Sequence, residues 1–226
     1  WSRVVGDPSS YEPGDLVMFS VDNPRKVTKA VFGEDNERLL MGAVTLMPGL
    51  VGVSFDLTDD VTEGIGYKTD EELEREWNAK KIAIVGYAPI KVSLEGGPLK
   101  PGDPITSSSL PGVGQKAKAG ERIVGYSFDF FDPANGHRGI ERKLRMPTPR
   151  RTFTPSTTPI TLPNGTSSYK GWVFAYVNLG YSHLTAQQGA INLTTLNSDL
   201  NLNGFSILNV KSLTGMNGLW KIDESG

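Results

Sequence analysis

The residues best suited to chemistry lie in one short stretch, GDPSSYEPGD (residues 6–15), which carries Asp7, Glu12 and Asp15 with the hydroxyls of Ser9 and Ser10 between them. Carboxylates held beside a peptide bond can cut it when burial or like-charge pairing shifts one pKa, leaving one group as acid and another as base. A serine among them offers a nucleophile. Asp7, Glu12 and Asp15 are therefore the candidate catalytic set. The plainer alternative makes Asp15 a turn residue and leaves Glu12 exposed. Other catalytic patterns are missing. The two histidines, His137 and His183, sit in a turn and after a strand, so no Ser-His-Asp triad is indicated. There is no G-x-S-x-G elbow, HExxH pair or P-loop. No general enzymatic activity is expected; if the chain is active, a single self-cleavage is the form it would take.

Metal and cofactor chemistry find little footing. With no cysteine, disulfides and thiolate metal sites are excluded. The acid-rich run Asp56, Asp59, Asp60 and Glu63 lacks the alternating spacing of an EF-hand loop and reads as a solvated loop. Neither a metal nor a cofactor is expected.

The same decapeptide opens a repeat. YEPGDLV (residues 11–17) returns as LKPGDPI (residues 99–105). Proline fixes the first corner of a tight turn, glycine accepts positive φ, and aspartate bonds the backbone beyond. Gly14, Asp15, Gly102 and Asp103 are thus the structural turn residues. Each turn launches a strand, reaches a Lys-Ala pair (Lys29 and Ala30; Lys118 and Ala119), then enters a strand with a central glycine (Gly42; Gly125). Two related β-units in one barrel-like or sandwich-like domain are expected.

Between the copies, KKIAIVGYAPIKVSLEGG (residues 80–97) reads as a strand, a kink at residues 86–89 and a second strand. Before it, KTDEELEREWNAKK gives the one helix signal: Thr69 caps it, Glu72 completes a capping box, and its polarity predicts a surface position. After the second copy, residues 137–171 are basic and then rich in Pro, Thr and Ser, and read as an extended arm inserted in the β domain. Its basic residues Arg138, Arg142, Lys143, Arg145, Arg150 and Arg151 lack the interleaved aromatics of single-strand nucleic-acid binders, so the arm is expected to be solvated or to embrace a neighbouring subunit.

Composition narrows the partners. The chain has 226 residues, 38% hydrophobic and 21% charged, with 26 Gly, 15 Pro and a formal net charge of −2. That suffices for one or two cores in a mainly β, turn-rich fold, and no global field draws it to nucleic acid or anionic membrane. No apolar run is long enough to span a bilayer, and no signal peptide is evident. A start at Trp1 suggests a piece of a longer protein. Tyr169, Trp172 and Tyr176 are candidate glycan-stacking aromatics.

The order EPGDLV…KVTKA…LMGAVTLMPGLV…IVGYAPIKVSLEGGPLKPGDPITSSSLPGVGQKAKAGERIVGYSFD…VFAYVNLG resembles a β domain near the C-terminal end of phage tail-fibre or neck-appendage proteins and of bacterial surface fibres. It is similar to the peptidase G2 family, the self-cleaving domain of pre-neck appendage proteins. The likeness spans roughly residues 10–181 and rests most on GGPLKPGDPITSSSLPGVGQKA and GYAPIKVS. It implies an extracellular homotrimeric fibre, on a virion or a bacterial surface, in which the domain assists shaft assembly and, in cleaving members, releases itself. A host surface glycan or protein is the implied external partner.

Two domains are expected: a β domain over residues 1–181 and a shaft-like segment over residues 182–226. In the latter, Leu200, Leu202, Ile207, Val210, Leu213, Leu219, Trp220 and Ile222 alternate with Asn, Ser and Thr. These are too many apolar side chains for a free tail, and the strands are too few to bury them within one chain. Three intertwined copies sharing one core would solve both problems.

Overall fold

The computed structural model describes residues 1–33, 39–45, 70–145, 152–182, 212–214 and 221–223. It divides into two units, Trp1–Gln188 and Gly189–Gly226. The chain is mainly β, with one α-helix among the described residues.

In the first unit, β1 (Ser2–Arg3) precedes a short 3-10 turn at Pro8–Ser10, and β2 (Leu16–Phe19) follows the first Pro-Gly-Asp. Next come β3 (Val27–Lys29), β4 (Leu40–Val44), helix α1 (Asp70–Trp77), β5 (Ala79–Lys80), β6 (Ile82–Ala83) and β7 (Val85–Ser93). The second Pro-Gly-Asp leads into β8 (Pro104–Ser107), β9 (Gly114–Lys116) and β10 (Arg122–Ser127). Short pairs β11 (Phe131–Asp132) with β12 (His137–Arg138), and β13 (Leu144–Arg145) with β14 (Thr152–Phe153), precede β15 (Thr158–Thr161) and the long β16 (Ser167–Tyr181).

Two sheets matter for the site. One has four antiparallel strands in the order β3-β2-β4-β6. The other runs β10-β8-β9-β7-β16-β15, and an added β10–β16 pairing closes five of its strands into a ring. Strand β16 makes this closure possible by length: Ser167–Lys170 pair with β15, Lys170–Asn178 with β7, and Ala175–Tyr181 with β10. Closure leaves β15 as the edge strand.

The core joins both sheets. Leu16, Leu40 and Ala43 share one buried cluster with Ile90, Val92, Ile105, Val124, Val173 and Val177, which also holds Phe131 and Leu99. The opposite face of the smaller sheet is also covered, by Val4, Tyr11, Val17, Val27 and Val44. Leu16 and Val17 therefore point to different cores, so the strand shows no polar face.

Three sequence expectations change here. Helix α1 is not merely a polar surface helix: Leu73 and Trp77 are buried against Trp1 and Ala79, with Trp77 edge-on to Trp1 at 6.0 Å. Thr69 lies outside the described residues. The kink expected at residues 86–89 is absent, since β7 pairs residue by residue with β16 from Val85 to Ser93; the interruptions fall earlier, at Lys81 and Ile84. Gly86 takes φ +104 without breaking the ladder. The arm at residues 137–171 is not wholly an excursion, because β15 and the start of β16 belong to the main sheet and Ile140 and Leu162 are buried.

In the second unit, β17 (Ser212–Thr214) pairs antiparallel with β18 (Lys221–Asp223), placing Leu213 opposite Ile222. Leu200, Leu202, Ile207, Val210, Leu219 and Trp220 lie outside the described residues, as do Asp56, Asp59, Asp60, Glu63 and His183.

Candidate functional site: a buried ionic cluster on the first Pro-Gly-Asp turn

Both Pro-Gly-Asp turns have the same backbone. Gly14 and Gly102 each stand at φ +87, the value a type II turn demands of its third residue. The Asp15 N–H donates to the Glu12 carbonyl and the Asp103 N–H to the Lys100 carbonyl, both at 3.0 Å. Each carboxylate then turns back on its own turn: Asp15 Oδ2 accepts the Glu12 N–H and Asp103 Oδ2 the Lys100 N–H, both at 2.9 Å.

The strands that follow correspond as well. Val17 lies opposite Lys29 and Gly42, whereas Ile105 lies opposite Lys116 and Gly125. Lys29 reaches Asp15 Oδ2 at 3.0 Å and Lys116 reaches Asp103 Oδ2 at 2.7 Å. The lysine matching Lys29 is therefore Lys116, not Lys118. GQKAKAG holds two Lys-Ala steps, and only the sheet register selects between them.

The two turns differ in what surrounds the aspartate. Asp103 and Lys116 keep side-chain exposures of 10% and 33%, so solvent screens that pair. Asp15 is 1% exposed and meets a second cation, Lys91, itself 4% exposed, with Nζ 2.6 Å from Asp15 Oδ1. Glu12, the first residue of the turn, brings Oε2 to 2.5 Å from the same Nζ. Two cations and two carboxylates thus neutralise one another, which is what allows Lys91 and Asp15 to stay buried.

Aromatic and glycine residues close the cluster. The Trp172 ring centre lies 5.6 Å from Lys91 Nζ, and its indole N–H donates to the Pro13 carbonyl at 3.2 Å. Tyr11, buried and donating to the Val5 carbonyl at 2.8 Å, lies under Lys29. A Cβ on Gly14 would stand 2.9 Å from Trp172 Nε1, and one on Gly112 would stand 3.0 Å from Asp15 Oδ1. Glycine at these two positions lets backbone approach the charged groups closely.

The candidate catalytic residues are only partly brought together. Glu12 and Asp15 converge on Lys91. Asp7 instead caps the turn at Pro8–Ser10, accepting the Ser9 N–H at 2.8 Å, while the Ser10 hydroxyl donates to the Asp7 carbonyl at 2.7 Å. Hydrogen bonding from Lys91, reinforced by its charge, holds Glu12 below the ordinary glutamate range. The Ser9 backbone N–H does the same for Asp7. Both directions favour the ionised form, the reverse of what a general acid needs.

Lys91 was not among the sequence candidates. Its signal is visible in hindsight: APIKVS sits in a strand whose residues Ile90–Ser93 are all buried, so a lysine there must find an anion. Of the three candidate glycan aromatics, Trp172 is corrected outright, since it is buried at 8% exposure over Lys91. Tyr169 lies at the edge of a shallow groove of about 380 Å³ formed by Pro159, Ile160, Thr161, Ser167, Ser168 and Tyr169. Tyr176 packs against Tyr87, ring centres 5.4 Å apart, and Tyr87 also meets Phe128 at 5.2 Å. His137 stacks on Phe130. Among the described residues, no group of three His, Cys, Asp or Glu side chains is gathered for a metal, and no helix is long and apolar enough to cross a membrane.

No family model, curated protein or solved structure matches this chain.

Proposed function

We propose that the chain is a structural, trimer-forming module of a phage tail fibre or bacterial surface fibre, extracellular and supporting assembly and attachment. The observation that carries this reading is an apolar strip on the outer face of the ring. Val85, Tyr87 and Phe128 are 64%, 73% and 47% exposed, and Tyr87 contacts Tyr176 across the β7–β16 pair. A contiguous patch of this kind on a β surface is what a neighbouring subunit covers. The matched turn geometry supports two related β-units within the module. The alternation of apolar and Asn/Ser residues in the last forty or so positions supports a shared shaft, as three copies of a thin segment bury what one cannot.

Deleting Leu196–Gly226 tests the reading. The full chain should run as a trimer and the truncated chain as a monomer or weak association. A truncated chain that stays a tight trimer would place the interface elsewhere.

A carbohydrate-binding role has one specific point in its favour. The groove beside Tyr169 is lined by Thr161, Ser167 and Ser168, polar residues of the kind that bond sugar hydroxyls. Binding on a glycan array that is lost in Tyr169→Ala would support it, and unchanged binding in that variant would not. Self-cleavage has less support, because Asp7 and Glu12 are both held as carboxylates; a fibre precursor that stays uncut would remove it.

A further inference from the structure

We propose that Lys91 and Asp15 are the partners of an intramolecular amide bond, formed spontaneously in the folded chain with Glu12 as the proton-transfer group. The proposal is independent of the fibre reading.

Four observations support it. The nucleophile and electrophile are already in contact: Nζ lies 2.6 Å from Asp15 Oδ1, and both side chains are almost fully buried. Contact held by a rigid fold replaces a bimolecular encounter and makes reactions feasible that are negligible in water. The second oxygen, Oδ2, is bracketed by the Glu12 backbone N–H at 2.9 Å and the Lys29 ammonium at 3.0 Å. Two donors on one carboxyl oxygen are what a tetrahedral intermediate needs to stabilise its negative charge. The Glu12 carboxylate stands 2.5 Å from Nζ, within reach to carry protons off it, and Lys91 itself holds this group in the ionised form a base requires. Finally, the second turn provides an internal contrast. Asp103 has the same backbone bond and the same strand lysine, so turn capping and charge pairing are satisfied there with no counterpart to Lys91 on the carboxylate among the described residues. Lys91, the Glu12 carboxylate and the overlying Trp172 are therefore additions to a turn that is complete without them.

The chemistry balances without an oxidant or co-reactant. One proton passes from the Lys91 ammonium to Asp15 Oδ1, leaving a neutral amine and a neutral carboxyl group. The amine lone pair attacks Cγ, the C–N bond forms, and charge gathers on Oδ2 between Lys29 and the Glu12 N–H. Glu12 takes a second proton from the nitrogen and delivers it to Oδ1. The Cγ–Oδ1 bond breaks, Oδ1 leaves as water, and Glu12 is again a carboxylate. The third lysine proton remains as the amide N–H. The burial of Asp15, at 1% exposure, shields its carbonyl from bulk water, while the 63% exposed Glu12 side chain gives the product water a way out. A chain with no cysteine gains in this way a covalent tie between residues 76 apart.

Intact-mass spectrometry of the purified, denatured 226-residue chain tests the proposal directly. The expected mass is lower than the sequence mass by about 18 Da, one water, and peptide mapping should find the Asp15 peptide joined to the Lys91 peptide. Lys91→Arg and Glu12→Gln should both show the full sequence mass; Glu12→Gln keeps the backbone N–H of the turn, and circular dichroism confirms that it folds. Wild-type chain at its full sequence mass after prolonged incubation in the folded state would overturn the proposal. A link to Lys29 in place of Lys91 would overturn the assignment of the nucleophile, and water loss in Glu12→Gln would overturn the role of Glu12.

Discussion

At the residue scale, the two glycines of the repeated turn share a backbone angle but not a neighbourhood. Gly102 has nothing within 4 Å of a would-be Cβ, whereas Gly14 faces the Trp172 indole and the Lys91 N–H. Gly102→Ala should therefore show only the left-handed strain, about 1 kcal/mol. Gly14→Ala adds overpacking against a closed cluster and should lose about 1–3 kcal/mol more. Urea unfolding of the two variants checks this, and equal losses would mean that the cluster yields freely. Asp7 gives a pH-dependent prediction. Its folded pKa lies below the ordinary value of 3.8, so its cap contributes stability that is present above that value and lost as pH falls through the folded pKa. The stability difference between wild type and Asp7→Ala should be present at neutral pH and should shrink below pH 3.8. The turn residues Gly14, Asp15, Gly102 and Asp103 were all legible in the sequence, because Pro-Gly-Asp specifies its own geometry locally. Lys91 was not, because its partners Glu12 and Asp15 lie 79 and 76 residues away and only the fold unites them.

At the element scale, the central glycines of β4 and β10 have a shared cause. A Cβ on Gly42 would fall on the Ala83 carbonyl oxygen, and one on Gly125 on the Tyr176 carbonyl oxygen. Each strand crosses so close to its neighbour that only hydrogen fits. Gly125→Ala should force β10 away from β16, break the ring closure and cost about 1–3 kcal/mol; amide hydrogen exchange should quicken at residues 122–127 relative to β2. Undisturbed exchange there would show that the β10–β16 pairing is not the constraint. These glycines were legible as part of an ordered set, but their role depends on register. The same limit explains the Lys118 misalignment, since a one-dimensional pattern cannot choose between adjacent Lys-Ala steps when a strand pairing makes the choice. The supposed kink in β7 failed for a related reason. Gly and Pro are breakers in isolation, yet nine consecutive pairings with β16 hold this strand through both.

At the scale of the whole molecule, the mainly β character was visible in the Gly, Pro and turn content. Ring closure was not, because it depends on one fifteen-residue strand serving three partners along its length. Assembly is where the proposed function is most exposed to test. A surface strip built on Tyr87 and Phe128 is the surface a partner would cover, and the proposed partner is two further copies of the same chain. Replacing Tyr87 with Ser should weaken self-association without altering the circular dichroism of the β domain, since its ring is 73% exposed. The decisive measurement is the native mass of the full chain in solution. The account predicts a single species at three times 24.5 kDa that persists on dilution. A monomer of 24.5 kDa at all concentrations would contradict it.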